Sequence, residues 1–427
     1  MQTLSAQFIA ELGGSKTEVF LPNATGVSFS TQRLEQGQVF FALPGATTHG
    51  IMFADDAVAR GASFIVSDRP HPMGVQVADP VKTLLELGRW ARSQCKGAVI
   101  GITGSAGKTS TRAFVATALN ASSSTGNLNT PFALAALLVN TLLTKGSEQP
   151  LVLEMGIDHK GEMDTLVSVV QPTHGVLTLV APSHLEGLGS VENVAKEKVK
   201  LLQAASFKLA NVQAQPFLRT LEPPAKTYGL SDHADFRGTY STGVLTYKNV
   251  GVKLPVLGVG MATNALAALV LAEALNVSLN DAAKRLEGTQ LEPGRLQLKR
   301  IGNAQIIDDT YNSSPAAAKE ALNVLRSLSK PHTAILGDML ELGTHSSDYH
   351  FELGKQTRDL DKVIAVGKMA KFIAEANPKA KYFSTVDEAL VFLKTYKVEG
   401  TVLVKASRGM KLERCVEVLM KQREVTL

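Results

Sequence analysis

The 427-residue sequence contains little cysteine and no apolar run long enough to span a bilayer. Its two cysteines, Cys95 and Cys415, are far apart, so we expect neither a disulfide framework nor a cysteine-based metal knuckle. The first residues, MQTLSAQFIAELGG, lack the basic stretch and unbroken apolar segment of an export signal. We therefore expect a cytoplasmic protein that does not insert into a membrane.

The sequence also lacks a strong excess of charge of one sign. It has 44 Lys and Arg residues against 39 Asp and Glu residues, a formal net charge of +5, and the basic residues are dispersed. This weak bias does not argue for nucleic acid as a partner, and it is equally compatible with a small anionic substrate. Hydrophobic residues at 44% and charged residues at 19% indicate a globular protein.

Apolar periodicity predicts an α/β protein with three domains. Residues 1–80 contain the strand patterns QVFFAL and SFIVSD around a helical pattern, which indicates a small α/β domain. Over residues 81–296, strand patterns such as PLVLEMG and HGVLTLV alternate with helical segments, which favours a mainly parallel sheet. The alternation restarts after LEPGRLQLKR, and AQIIDD, TAILGDM, KVIAVG and TVLVKAS predict a Rossmann-like domain over residues 297–427.

The segment GITGSAGKTS joins a buried strand pattern to a helical one, as a phosphate-binding loop requires. Its glycines would let backbone N–H groups approach phosphate at the helix N-terminus. Lys108 would bridge the β- and γ-phosphates, and the Thr109 hydroxyl would bind magnesium. Ile102 replaces a glycine of the strict P-loop pattern, and the alternative is a tight turn with a surface lysine. We predict ATP binding by Gly104, Ser105, Ala106, Gly107, Lys108, Thr109 and Ser110.

Polar residues follow two further apolar strand patterns. Glu154 ends PLVLEMG, and His184 lies just beyond HGVLTLV. Because the carboxyl ends of parallel strands lie at one edge of a sheet, both side chains could converge with the P-loop and hold magnesium. Taken alone, either residue would more often cap a helix or form a hydrogen bond.

Lys198 falls on the apolar face predicted for the helix SVENVAKEKVKLL. At about 100° per residue, Lys196 and Lys200 point the opposite way. An ammonium facing a core would carry a large desolvation cost or would lose its proton. The alternative is snorkelling, in which the aliphatic stem is buried and the nitrogen remains in water.

Further polar residues lie in the second half of the chain. Asn264, near the start of a long apolar helix, could contact a nucleotide base or cap the helix. Arg295, at the junction between the second and third domains, could reach a phosphate or lie on the surface. Asp309 follows an apolar strand and could accept hydrogen bonds from a ribose, and GDMLELG places Asp338 and Glu341 after another strand.

These segments together resemble the Mur ligase superfamily along the whole chain. The segments that carry the resemblance are TGSAGKTS, GNLNTP, LEMGIDHKGEM, APSHLEGLGSVENVAKEK, NALAA, PGRLQ, DDTYNSSP and GDMLELG. The last two resemble the branch that joins D-alanyl-D-alanine to UDP-N-acetylmuramoyl-tripeptide. The resemblance implies a monomeric, ATP-dependent peptide ligase of peptidoglycan precursor synthesis that acts through an acyl phosphate.

The resemblance also implies a role for each domain and a pair of magnesium ions. The N-terminal domain would hold the UDP end of the substrate, the central domain ATP, and the C-terminal domain D-alanyl-D-alanine and part of the nucleotide. Thr109 and Glu154 would bind one Mg²⁺. Glu154, His184 and a carbamylated Lys198 would bind the second.

The same resemblance implies contacts to the nucleotide and the substrate. Asn264 would contact adenine, Asp309 the ribose and Arg295 the phosphates. Substrate contacts would come from the residues Ser30, Thr31, Asn127 and Asn129.

Some positions depart from the family pattern. Gly260 stands where a histidine is usual, and SFSTQR offers Ser30 and Thr31 in place of a uridine-contacting aspartate. The segment GNLNTPFALAALL is shorter than expected, and YNSSP replaces the common YNANP. Another Mur-type or polyglutamate-type ligase, or a P-loop ATPase without a ligase step, remains the alternative.

Overall fold

The structure is a computed structural model that describes residues 3–126 and 128–421. It confirms the predicted α/β fold with three domains, built mainly on parallel sheets. The domain limits at residues 80 and 296 stay predictions. Across the described ranges, no helix is both long and apolar enough to cross a membrane.

The N-terminal sheet is formed by short segments of branched and aromatic residues, which pack well on a pleated surface. Its strands are β1 (Val27–Ser28), β2 (Val39–Phe41), β3 (Ile65–Ser67) and β4 (Gly74–Gln76). They pair in parallel in the order β1-β2-β3-β4. The helices are α1 (Ala6–Leu12) and α2 (Ala54–Ala59), with a 3₁₀ turn at Gly50–Phe53.

The central domain is built on a second parallel sheet, flanked by α3 (Pro80–Gln94), whose first turn is capped by the Asp79 side chain. Its strands are β5 (Val99–Thr103), β6 (Ser122–Ser123), β7 (Leu151–Glu154), β8 (His174–Leu177), β9 (Phe207–Asn211), β10 (Lys226–Gly229) and β11 (Phe236–Arg237). Its order is β11-β10-β9-β8-β5-β7-β6. The helices are α4 (Lys108–Leu119), α5 (Pro131–Lys145), α6 (Glu162–Val170), α7 (Leu185–Leu188) and α8 (Val191–Ala204), with a 3₁₀ helix at Val212–Phe217.

An antiparallel sheet that the sequence analysis did not predict follows this parallel sheet. It consists of β12 (Thr239–Ser241), β13 (Val244–Tyr247) and β14 (Val250–Lys253). The next helices are α9 (Val259–Ala274) and α10 (Leu279–Glu287). Helix α9 is apolar on nearly all sides, as is typical of a helix that lies within a core. The cluster of buried apolar residues that contains α9 extends into the C-terminal domain.

The C-terminal domain has the predicted βα units and an added antiparallel edge strand. Its strands are β15 (Gln297–Ile301), β16 (Ala304–Asp309), β17 (His332–Gly337), β18 (Lys362–Val366), β19 (Ala380–Phe383) and β20 (Thr401–Lys405), in the order β15-β16-β20-β17-β18-β19. Only the β15–β16 pairing of this sheet is antiparallel among the described residues. The helices are α11 (Pro315–Arg326), α12 (Ser346–Lys355), α13 (Lys371–Ala376), α14 (Val386–Leu393) and α15 (Glu413–Lys421), with 3₁₀ turns at Gly343–His345 and Arg408–Met410.

One side chain of the central domain completes the hydrogen bonding of strand β1. The Asn140 amide, on α5, accepts a hydrogen bond from the Val27 N–H at 2.7 Å and donates one to the Val27 carbonyl at 2.9 Å. Both atoms belong to the free edge of the N-terminal sheet, whose backbone groups would otherwise need water. Asn140 therefore fixes this edge of the N-terminal domain to the central domain.

We predict that Asn140→Ala lowers the free energy of unfolding by about 1–3 kcal/mol, because a partly buried N–H and carbonyl lose their partners. Chemical denaturation measures this change, and hydrogen exchange should be faster at the Val27 amide. Gln203→Ala, which removes an exposed amide from α8, is the control and should change neither quantity. Unchanged Val27 exchange in Asn140→Ala would contradict the role assigned to the amide.

Candidate active site

The P-loop is held by the segment that follows β8. Gly104 has φ +152°, and a Cβ at this position would lie 1.9 Å from Thr178 Oγ1. The Thr178 hydroxyl donates to the Ala106 carbonyl at 2.6 Å, and the Ser105 hydroxyl donates to the Ala181 carbonyl at 2.7 Å. The loop between β5 and α4 thus has a fixed shape that requires glycine at its start.

Lys108 begins helix α4 and folds back over the P-loop. Its Nζ donates to the Gly104 carbonyl at 2.8 Å. Burial lowers the pKa of Lys108, and the neighbouring Glu154 carboxylate partly offsets that effect. The lysine therefore lies over the loop in which a nucleotide phosphate would be bound, as the motif predicted.

Thr109 is in contact with the predicted phosphate-binding arginine. Arg295 Nη2 donates to Thr109 Oγ1 at 2.9 Å, and the guanidinium lies over the Tyr311 ring, 3.9 Å from the centroid. Thr109 lies on α4, whereas Arg295 lies just before β15, so this hydrogen bond joins the P-loop helix to the segment that leads into the C-terminal domain. Both residues line one cleft, as the sequence predicted.

Glu154 lies at the carboxyl end of β7 and is 7% exposed. The register pairs it with Ile102 on β5, so it is next to the P-loop on the adjacent strand. Its Oε2 atom has no hydrogen-bond partner among the described residues, and Arg112 Nε lies 3.6 Å away. Arg112 also pairs with Glu292. A buried carboxylate oxygen without a hydrogen bond is an available ligand for a cation.

Lys198 is completely buried in α8, and its Nζ lacks a hydrogen-bond partner within the described chain. The snorkelling alternative is therefore wrong, because no part of the side chain reaches water. Burial, with Lys108 nearby, holds the pKa of Lys198 well below its ordinary value, although Asp158 and Glu154 oppose this shift. The amine consequently loses its proton much more readily than a surface lysine.

The neighbouring lysines of α8 occupy the face predicted for them. Lys196 is exposed. Lys200 is partly exposed and pairs with Asp164 at 2.6 Å and with Glu197 at 2.8 Å. Periodicity thus separated Lys198 correctly from these two residues.

His184 precedes helix α7 in a left-handed conformation, with φ 51°. Its Nδ1 lies 2.9 Å from Asp158 Oδ1 and 2.8 Å from Glu341 Oε2. Burial lowers the pKa of His184, but the two adjacent carboxylates outweigh burial and raise it overall. Oxygen and nitrogen atoms of these three residues lie within 4.8 Å of one another, a spacing that could hold a cation.

Asn264 lies one turn into α9 and faces the P-loop. A Cβ on Gly107, which has φ +83°, would lie 2.7 Å from Asn264 Oδ1. The N-cap of α9 is Gly258, so the capping alternative for Asn264 is wrong. Glu320 of α11 instead accepts a hydrogen bond from the Gly260 N–H at 2.8 Å. A carboxylate from the C-terminal domain therefore lies at the first turn of α9.

Two acids of the C-terminal domain have different partners. Asp309 Oδ2 pairs with the buried Lys405 Nζ at 2.6 Å, and its Oδ1 accepts from the Leu296 N–H at 3.1 Å. Asp309 still lines the cleft. Asp338 Oδ1 accepts hydrogen bonds from the Met369 and Ala370 N–H groups, so its contacts are structural.

The predicted substrate residues occupy two separate places. Asn129 lines the cleft, where a Cβ on Gly156 would lie 2.3 Å from its Nδ2. Asn127 lies outside the described residues. Ser30 and Thr31 follow β1 in the N-terminal domain and are not part of the cleft wall. The structure therefore brings Asn129, but neither Ser30 nor Thr31, to the P-loop.

A cleft of about 690 Å³ lies between the central and C-terminal domains. Its walls contain nearly all of the predicted catalytic and nucleotide-binding residues, with Lys198 buried behind them. The predicted residues that line it are Ser105, Ala106, Gly107, Lys108, Thr109, Ser110, Asn129, Glu154, His184, Asn264, Arg295 and Asp309. The residues present fit magnesium, since Glu154 Oε2 is available and a hydroxyl and an imidazole lie in the same wall.

Several cleft residues were not singled out by the sequence analysis. Lys405 could have been found by the strand-end rule that identified Glu154, because it ends β20. Asp158 and Tyr311 lie within motifs that were recognised, LEMGIDHKGEM and DDTYNSSP, but their individual roles were not predicted. No local signal identifies Glu320, because its contact with Gly260 joins residues 60 positions apart.

Two family models match the chain, the Mur ligase middle domain over residues 102–272 and the Mur ligase, glutamate ligase domain over residues 294–408. The chain is 32% identical to the UDP-N-acetylmuramoyl-tripeptide--D-alanyl-D-alanine ligase of Bacillus subtilis (strain 168), with 93% of each protein covered. It is similar to the crystal structure of MurF from Acinetobacter baumannii, with a TM-score of 0.86, 27% identity and 99% of both chains covered. A MurF ligase from Thermotoga maritima in complex with ADP gives a TM-score of 0.82 and 27% identity, covering 94% of this chain and 98% of that one.

We predict that Gly104→Ala weakens ADP binding by at least about tenfold, or about 1.4 kcal/mol, because the added methyl group would displace Thr178 and open the P-loop. Isothermal titration calorimetry measures the affinity. Gly302→Ala is the matched control: its glycine also has positive φ, but a Cβ there meets nothing within 4 Å. Equal ADP affinities in the two variants would contradict the steric argument.

Proposed function

The chain belongs to the Mur ligase family, and from this premise we propose that it joins D-alanyl-D-alanine to UDP-N-acetylmuramoyl-tripeptide at the expense of ATP. Support comes from relatives of that name, which match more than nine-tenths of the chain. The observation that carries the proposal is the cleft in which the P-loop faces Glu154, His184 and Arg295. That arrangement suits phosphoryl transfer between substrates held by different domains.

ATP would bind with its phosphates at the N-terminus of α4. The backbone N–H groups of the P-loop and the positive end of the helix favour an anion there. Lys108 and Arg295 supply fixed positive charge on two sides of that position. Stacking on Tyr311 would place Arg295 before the nucleotide arrives. Arg295 would then exchange its hydrogen bond to Thr109 for one to a phosphate oxygen.

The reaction would proceed in two displacements. The tripeptide carboxylate attacks the γ-phosphorus of ATP, which forms an acyl phosphate and releases ADP. The neutral amine of D-alanyl-D-alanine then attacks the acyl carbon, loses a proton, and expels inorganic phosphate as the peptide bond forms. Negative charge develops on phosphoryl and then on acyl oxygens, and Lys108 and Arg295 would stabilise it.

The cation sites proposed for this cleft use groups that the chain leaves available. Thr109 and Glu154 would hold one Mg²⁺, and Glu154, His184 and Lys198 would hold a second. Magnesium bound there would neutralise phosphate charge and make the phosphorus more open to attack. The Oε2 atom of Glu154 supports this assignment, because it is buried and makes no hydrogen bond to the described residues, with Arg112 Nε 3.6 Å away.

Lys198 would serve as a carbamate. Its lowered pKa favours the neutral amine, whose lone pair can attack carbon dioxide to form an N–C bond with loss of one proton. The product is an anion, so a cation that would repel magnesium becomes a ligand for it. The fully buried Nζ supports this proposal, since it makes no hydrogen bond to the described residues.

The remaining contacts would divide the substrates among the domains. Asn264 would contact adenine and Asp309 the ribose, with Lys405 holding the Asp309 carboxylate in place. Asn127 and Asn129 would line the substrate end of the cleft. Ser30 and Thr31 would contact the UDP end, in a domain placed by the Asn140 hydrogen bonds. The domain limits are proposed at residues 80 and 296.

We predict that sustained ADP formation requires UDP-N-acetylmuramoyl-tripeptide and D-alanyl-D-alanine together. Without an amine, each protein molecule would form one acyl phosphate and then stop. A coupled assay of ADP release, with mass spectrometry of the product, measures this dependence. Equal turnover with a single amino acid would assign the chain to another branch of the family. Turnover that ignores both substrates would indicate an ATPase without a ligase step.

We predict that Lys198→Ala abolishes ligation and that a short carboxylate such as acetate partly restores it, since acetate can occupy the space of the carbamate. Initial rates with increasing acetate measure the rescue. Isotopically labelled bicarbonate should give a carbamate NMR signal in the wild-type protein and none in the variant.

Lys196→Ala is the matched control for this substitution, because Lys196 is an exposed lysine on the same helix. It should retain activity and the carbamate signal. An active Lys198→Ala protein would remove the proposed carbamate from the mechanism.

A further inference from the structure

We propose that Glu341 and Asp158 form a clasp on His184 Nδ1, which turns Nε2 toward the magnesium site and makes magnesium affinity depend on closure of the C-terminal domain. In this clasp, two carboxylates from different domains are positioning groups and His184 is the ligand. The inference rests on the proposed function, in which His184 holds magnesium.

The clasp brings together three separate segments of the chain. Asp158 lies after β7 and His184 before α7, both in the central domain, whereas Glu341 follows β17 in the C-terminal domain. The Nδ1 distances of 2.9 Å to Asp158 and 2.8 Å to Glu341 are those of close ion pairs, and neither contact has the alignment of a hydrogen bond. Both carboxylates therefore lie beside the same ring nitrogen.

Glu341 holds this segment by its backbone as well. The Leu185 N–H donates to the Glu341 carbonyl at 2.9 Å, directly beside the contact made by the carboxylate. His184 has φ 51° and Glu341 has φ 65°, so two residues with side chains adopt the left-handed conformation where they meet. Such backbone conformations cost energy and persist where surrounding contacts impose them, often at functional sites.

The loop that carries Glu341 is itself fixed by side chains of the C-terminal domain. His350, buried in α12, accepts a hydrogen bond from the Met339 N–H at 2.9 Å. The Ser407 hydroxyl accepts one from the Leu340 N–H at 2.9 Å. Glu341 is thus held in place by contacts within the C-terminal domain, whereas Asp158 belongs to the same domain as His184.

The chemistry of imidazole links this contact to the metal. A neutral ring carries one N–H, and negative charge beside Nδ1 favours the tautomer with the proton on that nitrogen, which leaves the Nε2 lone pair free to bind a cation. A carboxylate behind a metal-binding histidine fixes the ring orientation and makes the ligand nitrogen more basic. When the C-terminal domain moves away, Asp158 alone remains, and the ring is held less firmly.

The test is Mn²⁺ binding to the full chain in the presence of ADP, followed by electron paramagnetic resonance of the free ion. Glu341→Ala should weaken Mn²⁺ binding by about tenfold, within the range seen when such supporting groups are removed. Glu341→Gln should weaken it less, because the amide oxygen keeps a partial negative charge beside Nδ1. His184→Ala should lower the number of Mn²⁺ ions bound per chain, whereas the Glu341 variants should leave that number unchanged.

Glu352→Gln is the control for the charge change, because Glu352 is an exposed acid of the same domain that pairs with Lys355. It should leave Mn²⁺ affinity unaltered. Thermal unfolding of each variant checks that a change in affinity does not reflect loss of the fold.

Two results would overturn the clasp: unchanged Mn²⁺ affinity in both Glu341 variants, or loss of a whole Mn²⁺ site in Glu341→Ala, which would make Glu341 a ligand. Neither result depends on which substrates the wild-type protein joins. Failure of the ligation assay, with the Mn²⁺ shift intact, would reject the proposed reaction and leave the clasp standing.

Discussion

The desolvation of Lys198 is the constraint around which the carboxyl edge of the central sheet is arranged. Its side chain is fully buried with no hydrogen bond to Nζ from the described residues, and Lys108 lies near enough to lower its pKa further. Glu154, at the end of β7, is also buried, and its Oε2 makes no hydrogen bond to the described residues, although Arg112 Nε lies 3.6 Å away. A core that only stabilises a fold would pair or remove such groups, so their joint presence is typical of a functional site.

The part of the site that lies on the parallel sheet could be predicted from the sequence. Strand patterns and glycine spacing located the P-loop, and one rule, that parallel strands end at the same edge, placed Glu154 beside it. Helical periodicity identified the face of Lys198 but not its depth. How deeply the Lys198 side chain is buried depends on how α8 packs against β8 and its neighbours. Periodicity alone does not give this packing, and the expected snorkelling was therefore wrong.

The contacts between domains could not be predicted in the same way. The hydrogen bond from Arg295, at the junction of the two domains, to Thr109 joins residues that are distant in the chain, and no local pattern specifies such a pair. The antiparallel strands β12 to β14 were also missed, because short strands outside the βα alternation give a weak signal. The resemblance to a family supplied roles for these residues, whereas the structure supplied their partners.

The Glu320 carboxylate at the first turn of α9 has a consequence for how the two domains can vary. A backbone N–H of the central domain is satisfied by a side chain of the C-terminal domain, and a Cβ at position 260 would already lie 3.3 Å from the Glu320 side chain. A larger side chain at that position would compete with Glu320 for the same space. Positions 260 and 320 are therefore a matched pair, and a chimera that takes these two domains from different relatives must exchange both residues together.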